Sequence, residues 1–350
     1  MKYMHTADFK KELEELKRPV WEKIQEYLPE KEPEGHYAMV REYPKRQGKY
    51  FRPGLVLLAT EMFGGEREKA LLTAAAMQTS EDWLLIHDDF EDHSEERRST
   101  KDEYRPALNQ IYGDELAVNA GDGLHIIMWK MLGDTVRFLG DEIGWKIYDK
   151  MYNILLTTTG GQYLELDWIR KGKVLTSEEE YYKMAYCKAG YYTVTAPLEL
   201  GAMTAGILKN KELKKIENWG VPFGLAFQIW DDVMNVTVES SAQGKEKGGD
   251  ILEGKRTLLL SHLLKNCAPI EKDCVISIYL KPREKKSAQE KEYVLNLMEK
   301  YGSIDYAKSI ARGFAQKSIE IFDKNTAYLP DTKAKQTIRA GISFVVNRDR

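Results

Sequence analysis

The stretch Trp83–Ser99, WLLIHDDFEDHSEERRS, ends an apolar helical segment in a cluster of acidic residues. The later stretch Phe227–Asn235, FQIWDDVMN, repeats this arrangement. Residues four positions apart share one face of a helix, with Cβ atoms about 6 Å apart, so each cluster would bring several oxygen atoms together. Two acidic clusters at the ends of buried helices repel each other unless cations lie between them. The side chains concerned are Asp88, Asp89 and Asp92 in the first stretch and Asp231, Asp232 and Asn235 in the second.

Helical periodicity extends over the rest of the chain. Apolar residues from Phe9 to Leu28 recur every three or four positions, and residues 67–92 form one predicted helix about 40 Å long. The segments TSEE at Thr176–Glu179 and SAQE at Ser287–Glu290 are typical of helix starts with a capping box. Period-two alternation and Ser/Gly-rich linkers are essentially absent, so we predict one all-α domain spanning residues 1–350. Further helices are predicted over residues 114–137, 141–170, 177–206, 211–238, 256–266, 287–300, 303–324 and 332–346.

Composition narrows the possible functions. The 350 residues carry a net charge of −3 with both signs interspersed, which gives no indication of nucleic-acid binding. The three cysteines have neither the spacing nor the neighbouring histidines of a metal site, and they indicate a reduced, cytoplasmic protein. No apolar run approaches the roughly 20 residues that a membrane span needs. The first residues are charged and amphipathic, unlike a signal peptide.

Basic residues accompany the two acidic clusters. Hard oxygen ligands at this spacing suit Mg²⁺, which prefers one or two carboxylates, water and substrate phosphates. Either cluster alone is equally consistent with a solvated helix end, but both follow apolar segments that should be buried. Mg²⁺ ions together with several cations predict a polyphosphate substrate, and two separate groups of cations favour two diphosphates. The cations are Lys49 and Arg52 in GKYFRP, Arg97 and Arg98 after the first cluster, Lys188 in an apolar-aromatic segment, and Lys255 after the second cluster.

Six motifs in order resemble those of the trans-isoprenyl diphosphate synthases, also called polyprenyl synthetases, over nearly the whole chain. The first acidic cluster followed by Arg97 and Arg98 resembles the first aspartate-rich motif of that family. The second cluster resembles its F-Q-x-x-D-D-x-x-D. The chain is most similar to the short-chain type, in particular the archaeal geranylgeranyl and farnesyl diphosphate synthases. The other matching segments are GKYFRP, GGQYLEL at residues 160–166, CKAG around Lys188, and GGDILEGKRTLLL.

The resemblance implies a helical bundle around a central apolar cavity and a Mg²⁺-dependent head-to-tail condensation. An allylic diphosphate would bind between the acidic clusters through about three Mg²⁺ ions, with Asp88, Asp89, Asp92, Asp231, Asp232 and Asn235 as ligands. By the same resemblance, Arg97, Lys188 and Lys255 would neutralise the leaving diphosphate, and Gln228 would offer a dipole to the allylic cation. Isopentenyl diphosphate would bind Lys49, Arg52 and Arg98, and Gln162 would also contact substrate. The family further implies a homodimer, and it needs no histidine base, so His87 is expected only to pack.

Three positions depart from the family pattern and leave alternatives open. Glu81 stands where a His or Gln usually contacts isopentenyl diphosphate, Asn235 replaces an Asp, and Ala189 replaces a Thr. Asn235 favours one alternative, a class I terpene cyclase, whose second metal motif has the spacing of Asp231, Asp232, Asn235 and Glu239. Glu81 favours another, a weakly active partner subunit of a heteromeric synthase. The second basic cluster argues against a cyclase, which binds only one diphosphate.

The segment before the first acidic cluster bears on product length. Trp83 lies five residues before Asp88, which resembles the position of a floor that stops chain elongation in this family. Leu84 is not aromatic, and Ser80 precedes Trp83 by one helical turn. This combination predicts a C15 or C20 product. The alternative is that Trp83 only packs in the core.

Overall fold

A computed structural model describes residues 6–100, 102–238 and 246–348 of the chain. In these segments the regular structure is helical, apart from one isolated antiparallel bridge between Glu96 and Pro106. The predicted all-α class is therefore confirmed. None of the helices described is long and apolar enough to cross a membrane.

The first half of the chain contains three helices of at least 25 residues. Helix α4 begins at Arg67 and ends at Glu91, close to the predicted bounds 67–92. Gly140 has a positive φ of 82° and separates the helices Asp114–Leu139 and Asp141–Arg170, in the gap between the helices predicted over residues 114–137 and 141–170. The helices of this half are α1 (Thr6–Gln25), α2 (Glu34–Arg46), α3 (Phe51–Met62), α4 (Arg67–Glu91), α5 (Leu108–Tyr112), α6 (Asp114–Leu139) and α7 (Asp141–Arg170).

The second half begins with three consecutive helical segments, where the sequence predicted one helix over residues 177–206. Ser177 and Glu180 form the capping box, one residue later than predicted. The predicted box at Ser287 and Glu290 is confirmed. The helices are α8 (Glu178–Ala185), a π-helix (Tyr186–Thr195), α9 (Ala196–Thr204), α10 (Asn210–Thr237), α11 (Gly249–Glu253), α12 (Leu258–Asn266), α13 (Pro269–Tyr279), a 3₁₀ turn (Arg283–Lys285), α14 (Ala288–Lys300), α15 (Ser303–Asn325) and α16 (Lys333–Val345).

Helices α4 and α10 occupy the interior of the fold. Small buried residues on α4, including Thr73, Ala74 and Ala76, let α1, α3, α6 and α9 pack closely around it. Helix α10 packs between the π-helix and α15, and the π-helix also contacts α7. One cluster of buried apolar side chains extends from Phe9 on α1 to Val346 after α16. This packing brings the acidic ends of α4 and α10 to the same region.

The π-helix arises where three backbones approach closely. A β-carbon on Gly161 of α7 would lie 2.2 Å from the amide nitrogen of Lys188, and one on Gly224 of α10 would lie 2.4 Å from the carbonyl oxygen of Gly190. Only glycine permits such contacts. A π-helical segment is rare and commonly marks a functional site. Lys188, one of the predicted site residues, lies within it.

Candidate active site

The acidic ends of α4 and α10 line one cavity of about 110 Å³. Asp88 lies on one side, and Asp231 and Asp232 lie on the other. The two predicted lysines, Lys188 and Lys255, line the same cavity. These two lysines therefore place positive charge between the acidic clusters. The remaining lining residues are Glu165, Tyr181, Met184, Ala185, Ala189, Gln228, Asp250, Arg256 and Thr257.

Asp88 is the acid of the first cluster that faces this cavity. Its Oδ1 lies 3.5 Å from Lys188 Nζ, and Gln162 Nε2 donates to the same oxygen at 3.4 Å. Arg97 donates to Oδ2 at 3.2 Å. Gln162 also donates to Glu91 at 2.6 Å, so this amide links two acids at the end of α4.

Asp89 is fully buried, and both of its carboxylate oxygens accept hydrogen bonds. Tyr43 Oη donates to Oδ2 at 2.6 Å, and Arg97 Nε donates to both oxygens at 2.8 and 3.0 Å. Arg97 is itself buried, and the Asp89 carboxylate counters the effect of burial and raises the pKa of the guanidinium. These contacts favour a role for Asp89 in holding Arg97, whereas the sequence predicted a metal ligand.

Asp92 ends α4 and pairs with Lys255. Lys255 Nζ lies 2.8 Å from Asp92 Oδ2, 2.6 Å from Glu253 and 3.7 Å from Asp250. Burial raises the pKa of Asp92 to about 7, although Lys255 opposes that shift. Acids crowded around one lysine keep it protonated, and the pKa of Lys255 is raised accordingly, against the effect of its own burial.

The second acidic cluster has one exposed and one buried aspartate. Asp231 is partly exposed, and Arg348 Nη2, near the end of the chain, lies 3.3 Å from its Oδ1. Asp232 is buried and accepts from Tyr181 Oη at 2.7 Å and from Gln228 Nε2 at 2.8 Å. Burial raises the pKa of Asp232, and the nearby charge of Asp250 adds to the shift.

Asn235 is buried, and its side-chain oxygen accepts a hydrogen bond from the backbone amide of Asp250 at 3.2 Å. Its backbone carbonyl accepts from the amide of Gly248 at 2.7 Å. Asn235 thus joins the segment before α11 to α10. Glu239, which belonged to the cyclase alternative, lies outside the described residues.

Several residues of the site were not singled out from the sequence. Glu165 is buried and forms an ion pair with Lys188. It occupies the acidic position of the GGQYLEL motif, so the motif itself contained this signal. Asp250 lies in GGDILEGKRT, where only Lys255 was selected. The contacts of Tyr181 to Asp232 and of Arg348 to Asp231 could not be predicted, because they join distant parts of the chain.

A second group of cations lies around the start of α3. Arg52 Nη1 lies 3.1 Å from Glu81, Arg52 Nη2 donates to Thr193 at 2.8 Å, and the guanidinium packs over the Tyr192 ring. Glu81, the first of the three departures from the family pattern, therefore pairs with Arg52. Lys49, the remaining predicted cation of this group, precedes α3 in the same segment.

Arg98 belongs to this second group and is held by Asp82, a residue that the sequence analysis overlooked. Arg98 donates from Nη2 to Asp82 Oδ1 at 2.7 Å and from Nη1 to the carbonyl of Tyr43 at 2.8 Å. Its φ of 60° lies in the left-handed region, which is uncommon for arginine, and strained backbone of this kind clusters at active and ligand-binding sites. Gly48 leaves the room that the guanidinium fills.

The residues predicted to control product length lie on different sides of α4. Trp83 is buried and stacks on His125 of α6, with ring centroids 4.4 Å apart. Ser80 instead bonds to the hydroxyl of Tyr192 at 2.8 Å, and Leu84 is half-buried. His87 contacts the carbonyl of Val118 on α6 at 3.3 Å, in agreement with a packing role.

The cavity residues fit Mg²⁺ by their chemistry. In the ranges described, no three His, Cys, Asp or Glu side chains already converge at ligand distance. The carboxylates of Asp88, Asp231 and Asp232 nevertheless face one small cavity. Such oxygens suit a cation that binds one or two carboxylates on each side and takes its other ligands from phosphate and water.

Comparisons with known proteins agree with this arrangement. The family model described as polyprenyl synthetase matches residues 34–298. A geranylgeranyl diphosphate synthase from Sulfolobus acidocaldarius is 31% identical over 78% of this chain and 79% of its own. The crystal structure of a geranylgeranyl pyrophosphate synthetase from Pyrococcus horikoshii is 30% identical, covers 98% of this chain and 99% of its own, and has a TM-score of 0.83. A geranylgeranyl pyrophosphate synthase from Corynebacterium glutamicum, complexed with isoprenyl diphosphate and magnesium, shares the fold at 21% identity, with coverage of 99% and 98% and a TM-score of 0.80.

Proposed function

Because the chain belongs to the polyprenyl synthetase family and is a short-chain prenyl diphosphate synthase, we propose that it joins isopentenyl diphosphate to an allylic diphosphate, giving a C15 or C20 product. One observation carries the proposal. Two acidic helix ends, on α4 and α10, line one cavity together with Lys188 and Lys255. Neither the cyclase nor the partner-subunit alternative gains support from the relatives, which are themselves named as synthases.

The allylic diphosphate binds in the cavity between α4 and α10. About three metal ions would be held by four aspartates, Asp88 and Asp92 at the end of α4 and Asp231 and Asp232 on α10. Bound Mg²⁺ would neutralise the diphosphate as it leaves. Asp89 acts indirectly, because its oxygens hold Arg97 next to Asp88. A magnesium-bound relative of the same fold supports this choice of ion.

Lys188 and Lys255 stabilise the negative charge that develops when the allylic C–O bond breaks. Both are held in place by acids, Lys188 by Glu165 and Lys255 by Asp92 and Glu253. Charged groups that are already oriented need no reorganisation during the reaction. The alkene of isopentenyl diphosphate then forms the new C–C bond, and the proton lost passes to the departed diphosphate. Among the residues described, no histidine lines the cavity to compete for that proton.

Isopentenyl diphosphate binds the second cationic group, formed by Lys49, Arg52 and Arg98. Arginine guanidinium groups suit diphosphate because they can donate two parallel hydrogen bonds. Both arginines already bond to carboxylates, Arg52 to Glu81 and Arg98 to Asp82. Binding of the diphosphate must therefore compete with these ion pairs.

We also propose that the protein is a homodimer that pairs through α6 and α7. Large apolar side chains are exposed along the outer face of α7 at Trp145, Tyr152, Leu156 and Tyr163, and on α6 at Ile126. A row of this kind is unusual on a monomer.

The chain forms one domain, and its three free cysteines fit a reducing, cytoplasmic location.

The test is product analysis. Purified protein is incubated with Mg²⁺, isopentenyl diphosphate and allylic diphosphates of five, ten or fifteen carbons in turn, and the prenyl products are identified by mass. A C15 or C20 diphosphate supports the proposal. Release of a cyclic hydrocarbon from an allylic diphosphate alone would instead support the cyclase, and no product from any pair would support a partner subunit.

A further inference from the structure

Asp82 is the most deeply buried acid near the second cationic group. Its side chain is 1% exposed and faces Arg98, which donates to Oδ1 at 2.7 Å. Gln78 Nε2 also donates to Oδ1, at 3.3 Å. The second oxygen, Oδ2, is buried, and the described part of the chain offers it no hydrogen-bond partner. A buried carboxylate that is only half satisfied is costly in its charged form.

Arg98 is the cation that pairs directly with Asp82. Arg98 faces it from the segment after α4, and Glu81, the neighbouring acid on α4, lies 3.9 Å from the same guanidinium. Tyr50, at the start of α3, has a buried hydroxyl for which the described residues provide no hydrogen-bond partner. Burial raises the pKa of this hydroxyl, and the charge of Asp82 adds to the shift. Tyr192, from the π-helix, also interacts electrostatically with Asp82.

Binding of a diphosphate at Arg98 changes this balance. The incoming diphosphate competes with Asp82 for the guanidinium of Arg98. Its negative charge also lies close to the Asp82 carboxylate. Both effects disfavour the charged form of that carboxylate. Protonation removes one negative charge next to the ligand and allows Oδ2 to donate a hydrogen bond.

We propose that Asp82 is a proton-linked positioning residue, which holds Arg98 before isopentenyl diphosphate binds and takes up a proton when it binds. Affinity for this substrate then falls as the pH rises. The inference rests on the proposed function, because it takes the second substrate to be isopentenyl diphosphate. Burial already raises the pKa of Asp82 to about 6, against the lowering effect of Arg98, so the added charge moves the titration into the neutral range.

The test is the dissociation constant of isopentenyl diphosphate alone, measured by calorimetry from about pH 5.5 to 8 for the wild type and Asp82→Asn. No product forms without the allylic substrate. Ionisation of the ligand affects both proteins equally, so it drops out when the wild-type dissociation constant is divided by that of the variant. We expect this ratio to rise about tenfold over the range, since each unit of pKa shift corresponds to a factor of ten. A ratio that stays constant overturns the proposal, including the case in which the variant binds more weakly by the same factor at every pH.

Two controls separate the role of Asp82 from a general effect of charge. Glu81→Gln removes the neighbouring acid and should tighten binding while keeping the pH dependence. Glu199→Gln removes another buried acid, whose partners Lys150 and Tyr191 are outside the proposed site, and should keep the wild-type pH profile. Loss of the pH dependence in Glu199→Gln would contradict the assignment to Asp82.

Two further measurements cover a variant that does not fold. Asp82→Ser offers a second side chain that does not titrate, and circular dichroism checks both variants. The wild type alone is also informative, because calorimetry in two buffers of different ionisation enthalpy counts protons. Net uptake near pH 7 supports the proposal, and zero uptake or release overturns it. If isopentenyl diphosphate does not bind at any pH, the proposed function fails as well; if it binds and reacts with a constant ratio, only the role of Asp82 is lost.

Discussion

The backbone of Gly161 packs directly against the backbone of Lys188, since a β-carbon on Gly161 would lie 2.2 Å from the Lys188 amide nitrogen and 2.5 Å from its Cα. The lysine of the proposed allylic site is thereby placed by a contact between α7 and the π-helix. Its ammonium is then fixed by Glu165, which lies one helical turn after Gly161 on α7.

Gly161→Ala should therefore lower kcat by about a hundredfold, because displacement of Lys188 by even 1 Å removes a positioned charge from the leaving group. Gly160→Ala is the matched control, since no atom of the described residues lies within 4 Å of a β-carbon at that position. Steady-state kinetics of both variants measure the loss of kcat, and their melting temperatures show whether the fold is retained. Equal activity of the two alanine variants would show that the approach of α7 to Lys188 does not position the lysine.

Removal of one acid from either cluster should abolish turnover without loss of fold. Asp88→Ala and Asp231→Ala each delete a carboxylate that lines the cavity, and neither side chain is part of the apolar core. We expect at least about a thousandfold loss of kcat, as removal of charge-stabilising groups commonly causes. Glu299→Ala, at an exposed position of α14, is the control. Activity that persists in EDTA would contradict the metal requirement.

The stability of the protein should depend on pH through Asp82. Its pKa is raised from 3.8 to about 6 by burial, so the folded state binds this proton more tightly than the unfolded chain does. Ionisation of the buried Asp82 carboxylate destabilises the folded state. This destabilisation is absent below about pH 4, grows as the pH rises, and is constant above about pH 6. The free energy of unfolding of Asp82→Asn relative to wild type should therefore increase by about 3 kcal/mol across this window. Urea denaturation at several pH values measures the difference, and a difference that does not change with pH would contradict the raised pKa.

Trp83→Ala should shift the products to longer chains. The indole lies between α4 and α6, stacked on His125, and its removal leaves room beside the small residues Thr79 and Ala76 one and two turns earlier. Each helical turn of about 5.4 Å gives space for roughly one isoprene unit. Trp83→Phe keeps an aromatic ring and should keep the wild-type product. Identical products from Trp83→Ala and the wild type would mean that the indole only packs.

Charge introduced on the outer face of α7 should separate the proposed dimer. Sedimentation velocity of the wild type should give twice the chain mass of 40.3 kDa. The double substitution Tyr152→Glu and Leu156→Glu places two acids in the middle of the apolar row and should give the mass of one chain. Ile270→Glu alters an exposed apolar residue elsewhere, on α13, and should leave the dimer intact. A wild type that sediments as a monomer would exclude this interface.

The sequence by itself determined the helical class and the chemistry of the site. Periodicity is a local property, so the long helix α4 could be predicted almost to its ends. Asp88, Asp231 and Asp232, together with Lys188 and Lys255, stood out by residue type and spacing, and the structure brings these five residues to one cavity. Residue types alone were also enough to predict a polyphosphate substrate, and the resemblance to the family specified diphosphates.

Only the tertiary structure decided which partner each charged group takes. Asp88 and Asp89 are adjacent in the sequence, yet one faces the cavity and the other is held by Tyr43 and Arg97. The pairing of Asp82 with Arg98, and the π-helix around Lys188, likewise left no local signal. Such features depend on close contacts between segments far apart in the chain. In a buried site the energy of a charge depends on the few atoms that surround it, and the order of residues along one helix does not reveal them.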